Sequence, residues 1–117
     1  MGQGSIIGYE INEKTCQISF YNEKDLEPDT LEVDTDNYQI PLIIGKLRDT
    51  WAYGKEAKRL VTIKDGFTAT RLLSKSLAGD KIEFGEETYD AVWLLSQFIQ
   101  MSLQSFPEID GIVFTVP

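Results

Sequence analysis

No histidine occurs in this chain of 117 residues, and cysteine occurs once, at Cys16. A serine or cysteine triad built on imidazole is therefore excluded. A zinc centre of thiolates and imidazoles lacks its ligands, and an internal disulfide lacks its second thiol. There is no apolar run of about 18 residues, which excludes a membrane-spanning helix of ordinary length. Positive charge is scarce: 11 Lys and Arg face 19 Asp and Glu, a net charge of −8. Nucleic acid is not an expected partner, because phosphate binding depends on clustered positive charge. The start, Met1 to Ser5, lacks the charged and apolar regions of a signal peptide. It reads as a cloning remnant or a flexible start. A lone thiol suits a reducing compartment, and a cytoplasmic location is expected.

What is present is enough for an ordinary core, with 42% hydrophobic and 11% aromatic residues. Charge is segregated along the chain. Residues 1–36 hold nine acids and two lysines, residues 37–81 nine basic residues and four acids, and residues 82–117 six acids and no base. The ordinary reading is a set of solvated faces; the sharper one is that the basic middle docks on something acidic.

The patterning predicts an α+β fold. Ile6–Ile11 and Thr15–Tyr21 read as a hairpin around the polar turn Asn12-Glu13-Lys14, with Cys16, Ile18 and Phe20 on one face. An acidic loop from Asn22 to Asp29 follows, then a third strand from Thr30 to Asp34 through Leu31 and Val33. Leu42–Leu47 and Trp51–Tyr53 read as a second strand pair turning at Arg48-Asp49-Thr50. Helices are expected over 54–62 and 68–77, the latter stopped by Gly79, with a short strand or extended link at Lys81–Phe84. A long helix from Glu86 to about Phe106 carries Val92, Leu95, Ile99 and Phe106 as its apolar stripe, widened by Leu94, Phe98 and Met101, with Pro107 ending it. Glu86, Glu87 and Asp90 crowd its expected first turn, where the helix dipole favours acids. Gly111–Val116 is apolar enough for a strand buried on both faces. Trp51, Trp93, Tyr9 and Cys16 are expected in packed positions.

Several segments, in order, resemble the opening of the actin-like ATPases, and of the heat-shock chaperones in particular. Ile7-Gly8-Tyr9-Glu10-Ile11-Asn12-Glu13-Lys14-Thr15 is similar to the chaperones' Gly-Ile-Asp-Leu-Gly-Thr-Thr. Ile40-Pro41-Leu42-Ile43-Ile44 is similar to their Thr-Pro-Ser-Val-Val, and Tyr53-Gly54-Lys55-Glu56-Ala57-Lys58 to their Val-Gly-x-x-Ala-Lys. Ile112–Pro117 is similar to their Val-Ile-Thr-Val-Pro strand. The overall likeness is strongest to uncharacterised bacterial chaperone-like proteins.

The resemblance implies the N-terminal part of an actin-like lobe, with the remainder of a longer parent protein as its partner. Residues 6–38 and 109–117 would form the lobe's sheet, and 39–108 an inserted subdomain with helices. It implies ATP and Mg as cofactors, with Glu10, Asn12, Glu13, Lys14 and Thr15 lining the phosphate side and Glu10 holding Mg through water. The departures weaken the chemistry. Glu10 stands for Asp, Asn12 for a glycine whose place positive φ would suit, and Glu13 for a threonine near the terminal phosphate. Thr70, before Arg71-Leu72-Leu73, stands where the chaperones have a lysine that orients the attacking water. The implied role is the first phosphate-binding hairpin of a nucleotide cleft, without competent hydrolysis. Its rival is a non-catalytic interaction or assembly module on a degenerate actin-like fold, docking a protein partner. An unrelated small α+β binding domain is a third reading.

Overall fold

Alternation of apolar and polar residues sets the first sheet. The computed structural model describes residues 5–21, 29–30, 38–106 and 108–117. Strand β1, Ser5–Ile11, buries Ile7, Tyr9 and Ile11 on one face; β2, Thr15–Tyr21, buries Cys16 and Ile18 beside them. The two pair antiparallel, with Tyr9 opposite Ile18 and Ile11 opposite Cys16. Strands β3, Asp29–Thr30, and β4, Gln39–Pro41, share the far edge of β2. Thus residues 39–41, on the insertion side of the expected division, are hydrogen-bonded into the first sheet. The expected strand over Leu31 and Val33, most of the acidic loop, Pro107 and the first four residues lie outside the described residues.

Strand β5, Ile44–Leu47, is central to a second sheet, with β6, Thr50–Tyr53, on one side and β7, Gly66–Ala69, on the other. Gly45 has to be small: a Cβ there would lie 2.9 Å from both the Phe67 carbonyl oxygen and a Leu60 methyl. Helix α1, Gly54–Arg59, continues as a 3-10 turn over Leu60–Thr62, within the expected 54–62; Ala57 and Leu60 are buried, whereas Val61, expected on the same side, is 66% exposed. The helix expected over 68–77 is corrected. Its first residues form β7 on the open edge of β5, and only Leu72–Ala78 are helical, as α2. The left-handed Gly79, φ 71°, ends α2 as expected.

A second correction concerns the long helix. Glu87–Asp90 is not its first turn but a strand, β9, paired with β8, Lys81–Phe84, around Gly85 at φ 66°. Helix α3 runs from Ala91 to Ser102 and has no acid in its first turn. Its buried stripe is Ala91, Leu94, Phe98 and Ser102, while Val92 is 53% exposed. Of the predicted stripe, Leu94 and Phe98 are buried and Leu95, Ile99 and Met101 pack against the core, whereas Val92 is out of place and Phe106 lies beyond the end of α3. Leu94 and Phe98 form a common core with Ile7, Tyr9, Ile18, Leu42 and Leu72.

Strand β10, Ile109–Thr115, runs parallel to β1 as the outer strand of the first sheet, placing Gly8 beside Val113 and Glu10 beside Thr115. The expected sharing of one sheet by the first and last strands is seen. The expected burial on both faces is not: Val113 and Phe114 are 61% and 51% exposed. The molecule is α+β.

Candidate functional site at the first hairpin

The turn between β1 and β2 is held by its own side chain. Asn12 Oδ1 accepts from the backbone N–H groups of Lys14, at 2.9 Å, and Thr15, at 2.8 Å. It also accepts from the Thr15 hydroxyl at 3.3 Å. This is an Asx-type closure, in which a short amide replaces a backbone acceptor. Left-handed φ at Asn12 is not used: the described non-glycine residues with positive φ are Arg48, Asp65 and Arg71. The side-chain route makes the backbone reversal unnecessary.

Glu13 crosses to the second segment of the site. Its Oε1 accepts from both the backbone N–H, at 3.1 Å, and the hydroxyl of Ser74 in the first turn of α2. The position before α2 is Arg71, in the left-handed region at φ 54° and without a capping side chain. Glu13 therefore supplies, from 61 residues away, the acceptor that a local N-cap would otherwise provide. Lys14 anchors the same junction through its carbonyl, which accepts from Leu42 N–H at 2.8 Å.

The hairpin and the segment before α2 enclose a cavity of about 260 Å³ lined by Glu13, Lys14, Leu42, Ile43, Thr70 and Arg71. Of the five residues expected on a phosphate side, Glu13 and Lys14 border it, and Thr70 and Arg71 share the lining. Glu10, Asn12 and Thr15 do not line it. Glu10 is exposed on the opposite face of β1 from Tyr9. Among the described residues, no cluster of three or more His, Cys, Asp or Glu could hold a metal ion. Glu10 alone offers Mg one carboxylate.

Behind the turn lies a buried polar chain. Ser102 donates to the Ile99 carbonyl at 2.8 Å, so its single proton is used and the Tyr9 hydroxyl donates to Ser102 Oγ at 2.6 Å. The Cys16 thiol donates in turn to Tyr9 at 3.6 Å. Burial pushes the Cys16 thiol up to about 11 and the Tyr9 phenol well above its ordinary range. Both stay protonated at neutral pH, and Cys16 is a packing residue, not a nucleophile.

Sequence reasoning missed a second constellation. Lys46 lies across the β5–β6 pair from Trp51, and its Nζ is 5.2 Å from the Trp51 ring centroid and 5.7 Å from that of Tyr89. It also donates to Glu87 at 3.0 Å and to the Tyr89 hydroxyl at 3.1 Å. Bonding to Tyr89 and Glu87 raises the Lys46 ammonium above its ordinary value, and bonding to Tyr89 and Lys46 lowers the Glu87 carboxyl. Trp51 is partly buried, but Trp93, stacked on Tyr89 at 5.2 Å, is 42% exposed and not the core residue expected. The signal was the strand alternation that sets Lys46 opposite Trp51. A larger cavity, about 700 Å³, lies between β6, the start of α1 and the end of α3, and holds none of the predicted site residues. Among the described residues, no helix is long and apolar enough to cross a membrane.

Residues 27–117 match the model of a family described as "Family of unknown function (DUF5716) C-terminal", and the chain belongs to that family. No curated protein matches the chain.

Proposed function

We propose that this DUF5716 family domain is the hairpin-bearing part of an actin-like, heat-shock-chaperone-like lobe whose phosphate side is closed on itself. It serves as a non-catalytic interaction or assembly module. One observation carries the reading: the backbone N–H groups of the turn that would grip a phosphate are already engaged. The Lys14 and Thr15 N–H groups are bonded to Asn12, and Glu13 holds the Ser74 N–H from within the cleft. A phosphate would have to displace these bonds and approach a carboxylate, while losing the backbone cradle that gives such hairpins their affinity. Thr70, in place of a lysine, removes the charge that phosphoryl transfer needs for positioning its water. The free, buried Cys16 suits a cytoplasmic setting.

The second reading is a nucleotide cleft that uses ATP and Mg without competent hydrolysis, with this hairpin as one wall and the remainder of a parent protein as the other. The convergence of Glu13 and Lys14 with Thr70 and Arg71 on one cavity favours it. Titration of Mg-ATP into the full-length protein, followed by amide shifts at residues 10–15, separates the two. The module reading expects no response at millimolar nucleotide. Saturable shifts confined to the turn would establish the cleft reading in its place.

A further inference from the structure

Two cations border the cavity beside the hairpin, Lys14 and Arg71. Neither side chain forms an ion pair or hydrogen bond among the described residues, whereas Lys46 is fully engaged and Arg59 pairs with Glu56 at 3.0 Å. Arg71 is also held at φ 54°, a conformation that costs a non-glycine residue free energy and persists only where its surroundings impose it. Glu13 is the one acid in the lining, and its Oε1 is committed to Ser74. Two cations and one carboxylate leave the lining with a formal charge of +1.

We infer that this cavity takes a single carboxylate side chain from an acidic segment of a protein partner, with Arg71 and Lys14 as its two contacts. The inference rests on the module reading above. Its charge arithmetic suits a monoanion and not a polyanionic triphosphate. The guanidinium fork of Arg71 matches the two oxygens of a carboxylate, and Lys14 adds a point charge beside it. A phosphate would need the turn N–H groups, which Asn12 occupies; a carboxylate held by two cationic side chains does not. Leu42 and Ile43, which also line the cavity, offer apolar contact to the methylenes of a glutamate, and about 260 Å³ has room for one side chain. The segregated charge of the chain gives a basic middle that contains Arg71, with Lys14 folded against it.

The test is a titration of the full chain with a pentaglutamate peptide, read by amide shifts and run in parallel with Mg-ATP and with inorganic phosphate. Expected are saturable shifts confined to Lys14, Thr70, Arg71 and Ser74, with affinity roughly millimolar and lost at about 0.5 M salt. Arg71→Gln and Lys14→Gln should each weaken binding about tenfold, with unchanged dispersion of the α2 amides as the folding control. Lys64→Gln, elsewhere in the basic middle, should leave it unchanged. Shifts spread equally over Lys58 and Lys64 would overturn the inference as unspecific attraction. Silence toward pentaglutamate, with ATP also silent, would overturn the inference alone and leave the closed hairpin standing. A response to ATP or phosphate at lower concentration than to peptide would overturn both.

Discussion

At the turn between β1 and β2, polar groups close on one another: Asn12 on two backbone N–H groups, Glu13 on Ser74, Lys14 on Leu42. On the other flank of β1, strand β10 leaves Ile112, Val113 and Phe114 open to solvent at 37%, 61% and 51%. Both regions border β1, and each holds one of the four segments that resemble actin-like ATPases. The difference lies in which helix reaches them. Helix α3 lays Leu94 and Phe98 in the core that holds Ile7, Tyr9 and Ile18, yet Ile112 and Phe114, in register with Ile7 and Tyr9, stay exposed. Polar groups of the turn found partners within the chain, whereas on β10 Ile109 packs against the core and the Phe114 ring meets Tyr9 at 5.6 Å while much of Ile112, Val113 and Phe114 still faces solvent. On the proposed reading the closed turn disfavours a phosphate, and the open edge leaves apolar side chains facing solvent.

The contrast can be broken first at Phe98. Phe98→Ala removes a fully buried ring and should cost about 3–5 kcal/mol, read by urea unfolding, whereas Phe114→Ala should cost well under half of that. Equal costs would mean that β10 is as well covered as β1. Alkaline pH gives the next largest effect. Because the Cys16 thiol rises from 9.0 to about 11, the unfolded chain releases its proton first as pH climbs. Stability from this group is complete below pH 9 and is lost between 9 and about 11. Tyr9, also raised, adds in the same direction. Cys16→Ala should flatten the part of that slope due to the thiol, and at pH 8 a thiol reagent should label Cys16 no faster than the protein unfolds.

Smaller effects test the closed end. Asn12→Ala and Glu13→Ala each delete a capping acceptor and should cost about 1 kcal/mol. Asn12→Ala should speed exchange of the Lys14 and Thr15 amides, and Glu13→Ala that of Ser74 alone. Smallest of all, Val113→Lys on the open edge should change stability by within about 0.5 kcal/mol. It should nevertheless reduce concentration-dependent association in sedimentation, since a charge on an edge strand opposes strand addition.

Much of this arrangement was legible in the residues. The alternation of Cys16, Ile18 and Phe20 marks β2, and Gly79 marks the end of α2. The failures have physical causes. Gly66–Ala69 became a strand because β5 offered an open edge, a tertiary pairing that local spacing does not contain. Glu86, Glu87 and Asp90 suggested a helix start, but Gly85 at φ 66° makes the chain reverse, so that Phe84 pairs with Glu87. The helix stripe was legible at Leu94, Leu95, Phe98 and Ile99, but Val92 shares the same helical spacing and only tertiary contact shows that it faces solvent. Composition marked β10 as apolar, and its exposure depends on what packs beside it. Glu13 was read as an obstacle to phosphate. Its use as the cap of α2 required knowing that Ser74 lies opposite.

Amide hydrogen exchange at the first turn tests the central claim most directly. If the hairpin is closed by its own side chains, the amides of Lys14, Thr15 and Ser74 exchange slowly in the free protein, and millimolar Mg-ATP leaves their rates unchanged. Exchange at the rate of an open loop, with protection gained only when Mg-ATP is added, would show that the phosphate side is vacant and built for nucleotide.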